Sequence, residues 1–79
     1  MKVLVRFKDM KGPRSLLEKL DEFHEPIFLE DEHSKIEIRS MQDIFCFDLS
    51  QPLWLEIEAK GEKANAIWEK IQNCFGKST

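Results

Sequence analysis

The stretch from Ile36 to Leu49 changes its hydrophobic period, and this change constrains the fold more than any other feature. Ile36 and Ile38 alternate with charged residues, which indicates a strand. Beyond Ser40 the apolar residues fall at helical spacing, at Met41, Ile44 and Phe45. A serine at such a junction can cap the new helix through its side-chain oxygen, so a strand-to-helix corner is predicted at Ser40.

The first half of the chain predicts a strand, a helix and a second strand. Lys2–Lys8 alternates, with Val3, Val5 and Phe7 on the core face. Pro13 suits the first position of a helix, and the helix is expected to continue to about Phe23 with an apolar stripe of Leu16, Leu17, Leu20 and Phe23. Pro26 ends it, and Ile27–Asp31 follows as a strand.

The second half predicts the remaining elements. After a polar turn, Lys35–Arg39 returns as a strand in an antiparallel hairpin, followed by a short helix from Met41 to about Phe47. Pro52 opens a fourth strand that extends to Glu58. Gly61 precedes a final helix, and Gly76 is placed at its left-handed C-terminus. The stripe of this helix is Ala64, Ile67, Trp68, Ile71 and Phe75.

The order β-α-β-β-α-β-α predicts an α+β fold, with a four-stranded antiparallel sheet and three helices on one face. Residues 1–79 are expected to form one domain, since no composition break divides them. With 42% hydrophobic and 34% charged residues, the chain has the composition of an ordinary globular protein.

Charge and cysteine content limit the classes of function. The net charge of −3 argues against non-specific nucleic-acid binding. Cys46 and Cys74 each lie in an apolar run and are expected in the core as free thiols. No apolar run has the length of a membrane span, and residues 1–8 lack the apolar region of a secretory signal. These features predict a reduced, cytoplasmic protein with no membrane partner.

The element order and Arg39-Ser40-Met41 resemble HPr, the histidine-containing phosphocarrier protein of the bacterial sugar phosphotransferase system. The resemblance extends from Lys2 to Phe75 and implies an HPr-like open-faced β-sandwich. In that family a histidine before the first helix carries a phosphoryl group. The same window here reads Asp9-Met10-Lys11-Gly12-Pro13-Arg14, so the histidine position falls on Met10 or Asp9. Phosphocarrier activity by the family's mechanism is therefore not expected.

Ser40 matches a second functional residue of the family, a serine that a dedicated kinase phosphorylates. Some relatives lack the histidine, keep this serine and bind a transcriptional repressor when it is phosphorylated. In the family, kinase and repressor dock on the apolar surface beside the serine, which makes Met41 and Phe45 candidate partner-binding residues. Gln42 and Asp43 depart from the family's aliphatic residue and glycine. Ser40 also forms a capping-box pattern with Asp43, so two roles stay open, a helix cap and a phosphorylation site.

A second candidate surface is the outer face of the sheet, where strand parity places Leu4, Phe28 and Trp54. In the HPr arrangement the fourth strand lies between the first and second, which would make these three residues neighbours. An exposed aromatic cluster favours a protein partner or a homodimer. Alternatively, Arg6, Glu30 and Glu56 cover much of it.

No pattern indicates an enzyme: the sequence has no P-loop, dinucleotide fingerprint, catalytic triad or zinc-ligand spacing. No catalytic residue, cofactor or metal site is therefore predicted. The first functional hypothesis is a non-catalytic HPr-like regulator or adaptor that binds proteins of sugar transport or carbon regulation. The alternatives are an interaction or homodimerisation module that uses the outer sheet face, and an ACT-like metabolite-binding regulatory domain. The final helix and the short second helix disfavour the ACT-like alternative.

Overall fold

The computed structural model describes residues 1–76. Each predicted strand and helix is present in the predicted order. The strands are β1 (Lys2–Val5), β2 (Ile27–Glu30), β3 (Lys35–Glu37) and β4 (Leu53–Ile57). The helices are α1 (Gly12–Leu20), α2 (Met41–Ile44) and α3 (Gly61–Ile71), and a 3₁₀ turn, Gln72–Cys74, follows α3.

The four strands form one antiparallel sheet in the order β1-β4-β2-β3. The α+β open-faced sandwich predicted from the sequence is confirmed, including the position of β4 between β1 and β2. At the centre of the sheet Leu29 lies opposite Leu55, and both are fully buried. Alternation along these strands therefore separates a core face from an outer face.

The core lies between the sheet and the helices. The buried apolar side chains of residues 1–76 form a single cluster. Its largest fully buried members come from strands and from every helix: Leu16, Leu29, Ile44, Leu55, Ile57 and Ile71. Even the four-residue α2 contributes one of them, so this helix is anchored in the core despite its length.

Several elements are shorter than predicted. β1 ends at Val5, the partner of Leu53 at the start of β4, and beyond it Phe7 pairs with Phe75 on the other edge of the strand. α1 ends at Leu20, where the N–H groups of Glu22 and Phe23 donate to carbonyl groups three residues back and tighten the chain into a turn. β3 stops at Glu37 and α2 stops at Ile44.

The prediction for Gly76 is wrong, since the only glycine with a positive φ in residues 1–76 is Gly61, at φ 61°. α3 continues into the 3₁₀ turn and ends at Phe75 in an extended conformation. The N–H of Gly76 then donates to the carbonyl of Arg6 over 2.7 Å. A pairing partner, rather than a left-handed cap, ends the helical segment.

Within residues 1–76, no helix combines the length and the apolar character that crossing a membrane requires.

Gly12 permits the close approach of α1 to the C-terminal turn. A Cβ at this position would lie 2.6 Å from the Cys74 carbonyl oxygen and 2.9 Å from Cδ1 of Phe7. Around Gly61, by contrast, no atom would lie within 4 Å of an added Cβ. Only backbone conformation therefore opposes a side chain at Gly61, whereas packing opposes one at Gly12.

We expect Gly12→Ala to lower the free energy of unfolding by about 2 kcal/mol or more, because backbone must move to admit the methyl group. Gly61→Ala should cost about 1 kcal/mol through its left-handed conformation. Gly61→Asn, which tolerates that conformation, should cost less. Chemical denaturation monitored by tryptophan fluorescence measures all three. A Gly12→Ala protein as stable as the parent would contradict the packing described above.

Candidate functional site

Ser40 is the N-cap of α2, and it forms the capping box predicted from the sequence. Its hydroxyl oxygen accepts a hydrogen bond from the N–H of Asp43 over 3.4 Å. In return, Oδ2 of Asp43 accepts from the N–H of Ser40 over 3.0 Å and from the N–H of Arg39 over 2.9 Å. The Ser40 hydroxyl also donates to this oxygen over 3.2 Å. The corner is thus closed by reciprocal hydrogen bonds between Ser40 and Asp43.

The hydrogen-bond donors at this corner stabilise one negative charge, and the Asp43 carboxylate already supplies it. The hydrogen bond from the Arg39 N–H, together with those from the Ser40 hydroxyl and N–H, lowers the pKa of Asp43. A phosphoryl group on the Ser40 oxygen would lie next to this carboxylate and would displace the hydroxyl's bond to it. The geometry therefore supports the helix-cap role of Ser40 more strongly than the phosphorylation role.

Helix α2 presents an aromatic side chain beside the capped corner. Phe45, the C-cap of α2, is 62% exposed, while Ile44 and Phe47 on either side of it are buried. Met41 is partly buried and packs against the core. Of the two apolar residues predicted to bind a partner on this surface, Phe45 is the accessible one and Met41 supports the helix.

The loop before α1 has no histidine and is held by an aspartate. Oδ1 of Asp9 accepts hydrogen bonds from the N–H groups of Lys11 and Gly12 over 2.9 and 3.0 Å. Met10 is 95% exposed at the tip of this loop. Asp9 thus acts as a turn residue, and Met10 provides an apolar side chain where the resembled family has its phosphate acceptor.

The two histidines lie in connecting segments, His24 after α1 and His33 in the turn between β2 and β3. In that turn Oδ1 of Asp31 accepts hydrogen bonds from the N–H groups of His33 and Ser34, which lower the pKa of Asp31. No group of three or more metal-binding side chains occurs in the described part of the chain.

The outer sheet face holds Leu4, Phe28 and Trp54, as strand parity predicts. Leu4 lies directly opposite Trp54, and the two are 41% and 42% exposed. Phe28 is not their direct neighbour, because its partner on β4 is Glu56. The predicted cluster therefore divides into an exposed Leu4–Trp54 pair and a more covered Phe28.

Two lysines cross this face and cover its aromatic rings. Lys2 pairs with Glu30 over 3.0 Å, and its Nζ lies 5.6 Å from the centre of the Trp54 ring. Lys35 pairs with Glu56 over 2.8 Å, and its Nζ lies 5.0 Å from the centre of the Phe28 ring. The Glu56 carboxylate raises the pKa of Lys35, and Lys35 in turn lowers the pKa of Glu56.

These lysine bridges were missed at the sequence level, where Arg6, Glu30 and Glu56 were expected to cover the face. Glu30 and Glu56 do take part, but as partners of the lysines. A signal existed, since Lys2 and Lys35 have the parity of the outer face. Each lysine contacts a glutamate across one intervening strand, and this could be predicted only from the strand order.

The expectation that both cysteines lie in the core is half correct. Cys74 is buried, and this burial raises the pKa of its thiol. Cys46 is exposed, because Ile44 and Phe47 take the inward positions around it. Its thiol donates to the carbonyl of Gln42 over 3.3 Å.

A scan of the chain against known protein families finds no match, and a search of curated proteins also finds none.

We expect Ser40→Ala and Asp43→Asn each to destabilise the protein, the serine change by about 1 kcal/mol through loss of the cap. Because the folded state lowers the pKa of Asp43, its ionised form stabilises the fold above the ordinary value of 3.8. This stabilisation is lost as the pH falls through the lower folded-state pKa. The stability difference between the parent and Asp43→Asn should thus be full at pH 7 and vanish in acid.

Urea denaturation at a series of pH values measures this difference. Asp48→Asn is a positive comparison outside α2: because hydrogen bonds from Ser50 also lower the pKa of Asp48, its effect should disappear in acid in the same way. A destabilisation by Asp43→Asn that stays constant down to pH 2 would contradict the role of the Asp43 charge in the cap.

Proposed function

We propose that this chain is a cytoplasmic, non-catalytic HPr-like regulatory or adaptor protein that binds proteins of sugar transport or carbon regulation. In this proposal it does not carry phosphate on histidine, and it recognises its partner through the surface of α2. The observation that carries the proposal is Phe45, a large aromatic residue that is 62% exposed on a helix anchored at both ends.

The rigidity of α2 supports a role in recognition. Ile44 fixes the helix to the core, and the Ser40–Asp43 capping box fixes its N-terminus. Phe45 therefore projects from a surface that needs little ordering on binding. Aromatic side chains on such pre-organised surfaces supply a large share of the binding energy in protein interfaces.

The loop before α1 supports binding without phosphotransfer. Met10 has no nucleophilic atom, and the Asp9 carboxylate is engaged by two backbone N–H groups. An acyl phosphate on Asp9 would break both hydrogen bonds and release the turn that leads into α1. The exposed Met10 side chain instead adds adaptable apolar area that a partner could contact.

The other functional hypotheses remain weaker candidates. The lysine bridges over Trp54 and Phe28 reduce the apolar area of the outer sheet face, so α2 is favoured as the principal contact surface. For an ACT-like domain, the disfavouring features are both present, since α2 has only four residues and α3 follows the fourth strand.

The first test is direct binding, by calorimetry, to the HPr kinase, to the first enzyme of the phosphotransferase system and to the repressor that recognises phosphorylated HPr-like proteins. We expect the unphosphorylated chain to bind at least one of them. Phe45→Ala should cost about 2 kcal/mol of binding free energy. Trp54→Ala, an aromatic truncation on the outer sheet face, is the matched control and should have little effect.

The proposal is wrong if none of these proteins binds the chain. Equal losses from Phe45→Ala and Trp54→Ala would remove α2 as the contact surface, because the two residues lie on different parts of the fold.

A second test asks whether phosphate is added. The chain is incubated with ATP and the HPr kinase, and separately with phosphoenolpyruvate and the first enzyme, and is then weighed by mass spectrometry. We expect no added phosphate in the second reaction, because the loop lacks the histidine. An acid-labile phosphate added in the second reaction would contradict the proposal. Because the loop before α1 has no histidine, such a phosphate would show that another residue of the chain accepts it.

A further inference from the structure

We propose that two copies of the chain associate through one end of the sheet, with the basic loop of each copy over the acidic cleft of the other. The basic loop is residues 10–14, and the acidic cleft lies between the turn 31–34 and the segment 48–52. This inference goes beyond the proposed function, because it assigns a second copy of the chain as a partner and uses segments other than α2.

The strand pairing places these segments at the same end of the sheet. Val5, the last residue of β1, pairs with Leu53 at the start of β4, and Glu30, the last residue of β2, pairs with Trp54. Because the strand order is β1-β4-β2-β3, the basic loop follows the strand on one side of β4 and the turn 31–34 follows the strand on the other side. This end of the molecule is therefore basic on one side and acidic on the other.

The acidic cleft has a volume of about 610 Å³, and carboxylates and an indole ring line it. Its carboxylates include those of Glu30, Asp31 and Glu32, and Pro52 and Trp54 supply apolar surface. The N–H groups of the turn lower the pKa of Asp31, so this carboxyl group stays ionised. Within residues 1–76, Glu32 is exposed and forms no ion pair.

The chain's own lysine shows how this cleft holds a cation. The Lys2 ammonium lies 3.0 Å from a carboxylate oxygen of Glu30 and 5.6 Å from the centre of the Trp54 ring. A carboxylate and an aromatic face together are a favourable environment for a positive charge. Since Lys2 is matched by Glu30 alone, the charges of Asp31 and Glu32 are left to attract a further cation.

The basic loop presents cations beside an apolar tip. Met10 is 95% exposed, and Lys11 and Arg14 are exposed on either side of the start of α1. Neither of these two cations forms an ion pair in the part of the chain that the structure describes. Hydrogen bonds to the Asp9 carboxylate from the N–H groups of Lys11 and Gly12 hold the loop in shape. Little order is therefore lost when this loop contacts a second copy.

A two-fold axis makes the two features complementary. An axis perpendicular to the sheet, through the segment 48–52, brings the basic loop of each copy against the turn 31–34 of the other. The attraction is then made twice, as in other symmetric dimers. The Met10 side chain lies over the Trp54 side of the cleft in this arrangement, where a thioether and an aromatic ring contact each other favourably. A separate basic peptide would match the cleft alone and leave Met10 exposed.

The size of this end predicts a weak dimer. The molecule measures 30 × 24 × 23 Å, so a cross-section of 24 × 23 Å can bury about 550 Å² per copy. This is less than the roughly 800 Å² per partner of a standard interface. We therefore expect a Kd on the order of 10⁻⁴ M. Salt should weaken the association, because the charges that drive it are exposed.

The test is sedimentation equilibrium at low salt, at concentrations from about 10⁻⁵ to 10⁻³ M, which span the expected Kd. Lys11→Glu and Glu32→Lys should each weaken self-association about tenfold or more, since each change places like charges together at both contacts. An equal mixture of the two variants should associate again, because every reversed charge then meets an opposite one. Circular dichroism checks that each variant is folded.

Matched controls lie at the opposite end of β4. Lys60→Glu and Glu58→Lys make the same charge changes on exposed residues beyond Ile57, and both should leave self-association unchanged. The contact is located by NMR. The Met10 methyl and Trp54 indole signals should shift together as the protein concentration rises, while the indole signal of Trp68 in α3 stays constant.

A chain that stays monomeric at the highest concentration would overturn the proposal, as would an association that about 0.5 M salt does not weaken. The same conclusion would follow if the control variants weakened association as much as Lys11→Glu and Glu32→Lys, or if their mixture stayed monomeric. Species that grow beyond a dimer would indicate an open head-to-tail contact and would exclude the two-fold arrangement.

Discussion

The pairing of β2 with β4 is the interaction on which the rest of the structure depends. It places Leu29 opposite Leu55 at the centre of the sheet, and neither side chain is exposed. Because side chains alternate between faces, this one register assigns every other residue of both strands to the core or to the outer face. A slip of one residue would bring Trp54 and Glu56 into the core, which makes alternative registers strongly unfavourable.

The two sides of this sheet are stabilised by different means. On the core side the helices cover the apolar residues, and α2 is held in place by Ile44 and by the Ser40–Asp43 capping box. On the outer side no helix of residues 1–76 covers the sheet, and Lys2 and Lys35 bridge the strands through their ion pairs and ring contacts. Such exposed pairs contribute modestly to stability. They also cover part of the outer face, on which Leu4 and Trp54 stay about two-fifths exposed.

The periodicity of the chain was sufficient to predict the element order and the core face of each strand, because burial repeats at the spacing of the local structure. The capping box was predictable for the same reason, since Ser40 and Asp43 lie within one helical turn. The pairing of the two chain ends could not be predicted in this way. Phe7 pairs with Phe75, and Gly76 donates to Arg6. Both contacts join the two ends of the sequence, and no local pattern reports such a pairing.

The sequence by itself determined the fold class, the absence of a histidine before α1 and the capped corner at Ser40. Each of these follows from the identity of residues or from their spacing over a short segment. Only the tertiary structure decided that Phe45 is accessible while Met41 is partly buried, that Cys46 faces outward, and that lysines cover the outer aromatic rings. It also decided that Phe75 and Gly76 pair beside Arg6 and Phe7. These properties depend on strand order and on the packing of segments far apart in the chain, where exposure is set by what covers a residue rather than by its neighbours in sequence.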